Sequence, residues 1–255
     1  MIDLLPAVEA IARAAGRAIM EVYASDFTVL GKPDASPLTE ADLRAEAIIT
    51  PALQALLPGV PVVAEEAHAR GGCDAAAGLA GAAFWLVDPL DGTREFVARN
   101  GEFTVNIALV RDGEPVLGVV FAPALGQMYA GERGHGAWLD NAGVRRQIGC
   151  RRVPAEGLTV LTSRVHGDHS AVDALLQGQG VAQHLSAGSS LKFGLLACGL
   201  ADVYPRYGRT MEWDTAAGQA VLTAAGGSLC DTAGRPLRYG KPGFENLHFI
   251  ARGLP

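Results

Sequence analysis

The sequence predicts an α+β protein in two parts. Three observations lead there. The chain opens on two helical patterns, a series of strand-like segments joined by tight turns fills its middle, and strands and helices alternate beyond residue 158. Its 255 residues suffice for one large domain or two modest ones sharing a core.

The first helix is expected over residues 3–23, where Leu4, Val8, Ile11, Ala15, Ile19 and Val22 recur at steps of three and four. Asp3 is its expected N-cap. Glu9 and Arg13 lie four apart on the other face and suit a pair. That face carries mixed charge, which argues for core packing against a neighbour and not for a membrane surface. A loop from Gly31 to Pro37 follows. Thr39 then caps a second helix with Asp42 at its third position, and Pro58-Gly59 ends it.

Residues 60–64 read as a short strand with Glu65-Glu66 at its end, and residues 67–83 as a Gly- and Ala-rich loop with a weak helix. Phe84 to Val87 is a buried strand. Asp88-Pro89-Leu90-Asp91-Gly92-Thr93 is expected to turn tightly at its end. Thr104 to Val110 alternates as a strand does, Asp112-Gly113 is a hairpin turn, and Val116 to Ala122 returns. Tyr129 to Leu139 continues the sheet, with the glycine-rich stretch from Gly131 to Gly136 as a hairpin turn. That stretch lacks the Gly-Lys-Ser/Thr ending of a phosphate loop and does not fit the dinucleotide fingerprint.

The basic, Pro-containing stretch 145–157 suggests a junction between a part spanning residues 1–150 and another spanning 151–255. Beyond it the expectations are strands at 158–162, 228–230 and 247–251, and helices at 168–177, 189–199 and 214–225, the last ended by Gly226-Gly227.

Bulk properties narrow the function. A net charge of −6 argues against a nucleic-acid polymer as partner, but not against a small anion, because bound metal inverts local charge. No basic segment precedes an apolar core at the N-terminus and no apolar run is long enough to span a bilayer. Cys73, Cys150, Cys198 and Cys230 form no C-x-x-C pair, as expected of reduced thiols in a cytosolic protein without structural zinc. His166 and His169 flank Asp168 at an expected helix start, so Asp168 reads as an N-cap and the histidines as surface groups.

The chemistry concentrates in carboxylates. Asp88 and Asp91 sit three positions apart in the turn, Glu65 ends the neighbouring strand, and Asp214 starts a helix in Trp213-Asp214-Thr215-Ala216-Ala217-Gly218. Each alone has an ordinary explanation, as a cap or a solvated corner. Acids placed together at strand ends and helix starts build a ligand crevice. Anionic oxygens held close repel unless a proton or cation sits between them, and Mg²⁺ prefers such oxygen ligands. Two such ions can clamp the attacking and leaving oxygens of a phosphoryl group. Gly92 and Thr93 then read as a helix start whose N–H groups face phosphate oxygens, with the Thr93 hydroxyl holding a water.

Asp42, Glu65-Glu66, the segment from Asp88 to Thr93, and Trp213-Asp214 through Gly218 together resemble the signature of the lithium-sensitive, Mg²⁺-dependent phosphatases. That superfamily includes the inositol monophosphatases, fructose-1,6-bisphosphatases and bisphosphate nucleotidases. The match runs in order through essentially the whole chain. Arg94-Glu95-Phe96, the run from Asn100 to Leu109, Gly188-Ser189-Ser190-Leu191-Lys192-Phe193 and Tyr204-Pro205-Arg206 resemble the bacterial 3′(2′),5′-bisphosphate nucleotidases in particular. Arg94 stands where relatives often carry Lys, and keeps the charge.

The resemblance implies a layered αβαβα sandwich of the sugar-phosphatase type. It implies hydrolysis of the 3′-phosphate of adenosine 3′,5′-bisphosphate, a by-product of sulfate assimilation, to AMP and phosphate. Glu65, Asp88 and the Leu90 carbonyl would hold one Mg²⁺, and Asp88, Asp91 and Asp214 a second. A weaker third would rest on Glu65 and waters. Asp42 and Thr93, with Glu65, would orient and activate the attacking water, and no phosphoenzyme would form. Substrate would lie against Glu65, Leu90, Asp91, Gly92, Thr93, Ser189, Ser190, Lys192, Arg206 and Asp214, while Ser189 and Ser190 also suit a helix cap. Arg209 is a further candidate for the second phosphate or the ribose, against its ordinary reading as a solvated surface charge. The same residues suit an inositol-1-phosphate or related sugar phosphatase, and a regulatory binding protein on this fold is a third reading. The resemblance further implies a monomer or homodimer in the cytoplasm, with peripheral association at the inner membrane found among relatives.

Overall fold

The computed structural model describes residues 4–31, 37–71, 79, 81–164 and 169–254. The first stretch holds α1 (Leu5–Tyr23), β1 (Val29–Gly31), β2 (Pro37–Thr39), α2 (Glu40–Leu56), β3 (Val62–Ala64) and α3 (Glu65–Ala69). Then come β4 (Ala83–Asp91), α4 (Thr93–Val97), β5 (Thr104–Arg111), β6 (Glu114–Ala122), β7 (Gln127–Glu132), β8 (Gly136–Asn141) and β9 (Val144–Ile148). The remainder is β10 (Leu158–Thr162), α5 (His169–Leu176), β11 (Val181–Ser186), α6 (Leu191–Ala197), β12 (Val203–Arg206), β13 (Thr210–Met211), α7 (Glu212–Ala224), β14 (Ser228–Asp231), β15 (Glu245–Asn246) and β16 (Phe249–Arg252).

Five layers result. Strands β3 to β9 lie in sequence order in a seven-stranded sheet, with β3 parallel to β4 and every later pair antiparallel. One face, through Trp85, Val87, Ile107 and Val119, packs on α1 and α2 through Val8, Ile19, Ile49 and Leu53. The other face, through Leu86, Ala108 and Val120, packs on α6 and α7. Those two helices meet a second sheet, of order β11-β10-β12-β16-β14, through Phe193, Leu196 and Leu222. Val172 and Leu176 of α5 cover the far side of that sheet. Because helices cover both faces of the larger sheet, β5 is buried from Thr104 to Val110, polar members included. Helix α7 comes close enough to β6 that a Cβ on Gly118 would lie 2.5 Å from the Ala217 carbonyl oxygen.

Local chemistry explains several elements. Thr39 and Asp42 form a capping box at α2, with Asp42 Oδ2 accepting the Thr39 N–H at 2.8 Å and Thr39 Oγ1 accepting the Ala41 N–H at 3.2 Å. Asp112 and Gly113 both have positive φ, 52° and 71°, as a two-residue hairpin turn demands.

Other expectations give way to tertiary contacts. Helix α1 is capped from Leu4 without a side-chain hydrogen bond. Glu9 and Arg13 do not pair. Glu9 takes two bonds from Arg145 at 2.8 and 2.7 Å, and Arg13 reaches Asp140 at 2.6 Å, because the sheet on which α1 packs carries both partners on β8 and β9. The turn expected at Asp88 is an irregularity within β4. Asp88 pairs Asn106 and Asp91 pairs Thr104, while Pro89 and Leu90 bulge out between them. The stretch 145–157 begins inside the sheet, as β9. Helix α6 begins at Leu191, after both serines, and α7 begins at Glu212, so Asp214 is its third residue. Strands β11 and β12 had no clear sequence signal, since β11 is an exposed edge and β12 carries Pro205. The expectations for Asp3, the loop residues 32–36, Cys73 and residues 166–168, and for the His169 side chain, lie outside the described residues.

Candidate active site

The bulge in β4 is where the site begins. Residues three apart in a regular strand face opposite sides, and the one extra residue of the bulge, two on β4 against one on β5, removes that constraint. Pro89 has no N–H to lose from the ladder. Leu90 turns its N–H onto Asp88 Oδ1 at 3.0 Å, a local turn that fixes the buried Asp88 carboxyl. Gly92 follows at φ 88°, and α4 starts at Thr93.

Two further acids are fixed by one device. Asp42 is the third residue of α2 and accepts the Thr39 N–H. Asp214 is the third residue of α7 and accepts the Met211 N–H at 2.7 Å. Asp42 also takes the Thr39 hydroxyl on Oδ2 at 2.7 Å and faces Thr93 Oγ1 with Oδ1 at 3.3 Å. Glu65 opens α3, whose first turn is held by Glu46. Glu46 Oε2 accepts the N–H groups of Glu66 and Ala67 at 2.9 and 3.2 Å. Glu66 is buried, so the Glu65-Glu66 pair is not a solvated corner.

Asp91 is held from the other side of the cleft. Its Oδ2 accepts from the Ser190 N–H at 2.6 Å and from Ser190 Oγ at 2.8 Å. The Ser190 hydroxyl also lies 2.7 Å from the Asp214 carbonyl oxygen and accepts from Asn106 Nδ2 at 2.9 Å. Its single hydrogen is thus shared between a strand-end acid and the backbone of a helix start. Ser190 occupies the N-cap position of α6 but makes no side-chain cap bond.

A cavity of about 310 Å³ opens between these elements. Asp91, Gly92, Thr93, Ser189, Ser190, Lys192, Arg206 and Asp214 all line it, together with Glu95 and the rings of Phe193, Tyr204 and Phe249. Asp42, Glu65, Asp88 and Leu90 are not among its lining residues. Asp42 and Leu90 connect to it through the Thr93 hydroxyl, which lies 3.3 Å from the Leu90 carbonyl oxygen. Arg209 is off the cavity: it is exposed and pairs with Glu245.

The electrostatics show how crowded the acids are. Burial raises the Asp214 carboxyl well above the usual carboxylate range, and the Asp91 and Glu65 carboxylates raise it further, against the Met211 N–H and Arg206. Among the described residues the acids do not converge into a finished cluster of three metal ligands. Burial also raises Glu95, with Asp91 and Glu102 adding to it against its backbone hydrogen bond and Lys192. Lys192 is buried and pushed down to about 8 by desolvation. Its Nζ donates to the Ala187 carbonyl at 3.0 Å and the Ser189 carbonyl at 2.5 Å, and lies 5.2 Å from the centre of the Tyr204 ring.

The sequence reading gave no site role to Glu46, Glu95, Glu102 or Asn106; the last three lie in the segments that carried the nucleotidase resemblance, and Glu46 lies in none of the quoted motifs.

The profile of the inositol monophosphatase family matches residues 3–248. The 3′(2′),5′-bisphosphate nucleotidase CysQ of Escherichia coli is 48% identical over 246 residues, 92% of this chain and 94% of its own. CysQ of Haemophilus influenzae is 33% identical over 254 residues, 98% of this chain and 93% of its own. The crystal structure of CysQ from Bacteroides thetaiotaomicron superimposes with a TM-score of 0.84 at 34% identity, covering 98% of this chain and 97% of that one.

Proposed function

The chain belongs to the inositol monophosphatase family, and from that premise we propose that it is a magnesium-dependent 3′(2′),5′-bisphosphate nucleotidase. Its substrate is adenosine 3′,5′-bisphosphate, and its products are AMP and phosphate. The observation that carries this reading is the lining of the cavity, where Asp91, Thr93 and Asp214 stand together with Arg206, Lys192 and three aromatic rings. A substrate with one phosphate to cleave, a second to hold and a base to cover suits such a cavity better than an inositol monophosphate does.

The residues present suit magnesium. The donors are oxygens only, and the repulsion that raises Asp214 is what a hard dication relieves. Two Mg²⁺ ions, or three, would be held by Glu65, Asp88, the Leu90 carbonyl, Asp91 and Asp214, and bound magnesium would supply the charge that acidifies water and offsets the phosphate oxygens.

The chain's own groups do the rest. The Thr93 hydroxyl has one hydrogen and two acceptors at 3.3 Å, Asp42 Oδ1 and the Leu90 carbonyl, so it can donate to Asp42 while accepting from a water. Asp42, its other oxygen engaged by Thr39, receives the proton through Thr93 as water attacks phosphorus in line. The bond to the ribose 3′-oxygen breaks as the new P–O bond forms, and that oxygen takes its proton from a solvent water while Asp42 gives its own back to solvent. Ser190 keeps Asp91 oriented throughout. Arg206 holds the second phosphate by charge-assisted bonds.

The same reading keeps the division at residue 150 and a monomer or homodimer. It places the protein in the cytoplasm, within sulfur assimilation, with lithium as an inhibitor. No helix among the described residues is long and apolar enough to cross a membrane.

Phosphate release from a panel of adenosine 3′,5′-bisphosphate, its phosphosulfate analogue, inositol 1-phosphate and simple monophosphates, with and without Mg²⁺ and Li⁺, tests the proposal. Preference for the nucleotide bisphosphate in Mg²⁺, suppressed by Li⁺, is expected. Faster turnover of inositol 1-phosphate would move the assignment to the sugar phosphatases, and no turnover at all would favour a binding protein.

A further inference from the structure

A second cavity, of about 330 Å³, lies against the later part of α7. Asp214 and Thr215, near the start of that helix, line the active-site cavity, while Gln219, Thr223 and Ala224, further along it, line the second. The two cavities share no lining residue. Tyr239 stands between them, buried, with its hydroxyl 3.2 Å from Thr215 Oγ1 and 2.7 Å from Gln219 Oε1.

The walls are fixed before any ligand arrives. Helix α7 lies directly on the backbone of β7, where a Cβ on Gly131 would come 2.7 Å from Val221 Cα. The rim at Pro236 and Leu237 is tied to β14: the Leu237 N–H donates to the Leu229 carbonyl at 3.2 Å, and Pro236 bridges Cys230. Binding here would cost little in ordering the chain.

Two groups in the cavity have donors to spare. Gln219 is 6% exposed, and its amide oxygen accepts from the Tyr239 hydroxyl. Its amide nitrogen has no protein partner among the described residues, although an amide buried that deep is normally satisfied on both atoms. Arg133 donates from Nη2 to Glu114 Oε2 at 2.6 Å, and its other side-chain N–H groups have no protein partner among the described residues. Glu114 is also met by Arg238 on its other oxygen. One carboxylate therefore balances two guanidinium groups, which leaves one positive charge uncompensated. Pro115, Pro236 and Leu237 supply an apolar side.

A planar guanidinium beside a free amide suits a carboxylate, whose two oxygens accept parallel N–H bonds, and the apolar side suits a short hydrocarbon body. We propose that this cavity is a second binding site, for a small organic monocarboxylate. Its anionic end meets Arg133 and the Gln219 amide, and its hydrocarbon part lies against Pro115, Pro236 and Leu237. The site does not depend on the reaction proposed for the first cavity.

The test uses the full chain, labelled with nitrogen-15, and pentanoate as the probe. The side-chain amide signals of Gln219 are expected to shift saturably with pentanoate, with a dissociation constant on the order of millimolar, as so small a ligand allows. Pentan-1-ol, which has the same hydrocarbon and no charge, is expected to leave them in place. Arg133→Met, a change at an exposed side chain, is expected to weaken pentanoate binding about tenfold or more. Gln219→Leu, read at the Thr223 backbone amide, is expected to weaken it as well. Gln219 signals that pentanoate does not move overturn the site. Equal shifts with pentan-1-ol overturn the carboxylate reading, and so does tighter binding of inorganic phosphate at the same signals. Shifts that persist unchanged in Arg133→Met report binding elsewhere and overturn the site too.

Discussion

Thr93 Oγ1 lies 3.3 Å from Asp42 Oδ1, across 51 positions of sequence, while the other oxygen of Asp42 closes the capping box of α2. One carboxylate therefore caps a helix and faces the hydroxyl that meets the attacking water in the proposed mechanism. The capping bonds fix the acid's rotation before any substrate arrives, which is how preorganisation lowers the cost of a proton transfer.

Thr93→Val keeps the shape and removes the hydroxyl. In the proposed mechanism kcat drops by roughly 10²- to 10⁴-fold, the range of general acid–base contributions, with little change in KM. Thr93→Ser restores most of the rate. Steady-state phosphate release measures both, and a valine variant within twofold of wild type would remove Thr93 from the proton path.

Asp214→Asn relieves the repulsion with Asp91 and Glu65 while an amide oxygen can still accept the Met211 N–H. Without magnesium the variant should melt no lower than wild type, and it should lose most of its activity. Wild type should gain about 2.7 kcal/mol at one hundred times the dissociation constant. The variant should gain far less over the same titration. Equal thermal shifts in the two proteins would take Asp214 out of the metal site.

Lys192 makes stability depend on pH. Burial pushes its ammonium from 10.5 down to about 8; Arg206 adds to the shift, and Asp91, Glu95 and Glu102 oppose it. Between those two values the unfolded chain binds the proton that the folded chain has released, so the Lys192 contribution to stability rises with pH through that window and is flat below it. Denaturant unfolding of wild type and Lys192→Met should show the difference growing in favour of wild type from about pH 8 upward. A constant difference would mean that the buried amine does not titrate there.

Local signals reported local chemistry. The Thr39–Asp42 capping box and the Asp112-Gly113 hairpin could be read directly, since each is a contest among a few neighbouring groups. The acids proposed for the site were singled out in the sequence by motif order, which survives where geometry is hidden. What stayed hidden were partners at long range. Glu9 and Arg13, spaced for a helix pair, chose Arg145 and Asp140 instead. Ser190, ordinary as a helix cap, became the support of Asp91, and Lys192, ordinary as a surface charge, was turned inward onto carbonyls.

By itself, then, the chain's sequence determined its α+β class, the capped start of α2 and the identity of the acids proposed to act, because periodicity, capping and motif order act over a few residues. Only the tertiary structure decided that two residues would bulge from β4, that Thr93 would face Asp42, and that Glu102 and Lys192 would bond the backbone between Ala187 and Ser189. Those outcomes depend on which distant backbone groups are left to satisfy once the sheets and helices have packed, and no local pattern encodes that remainder.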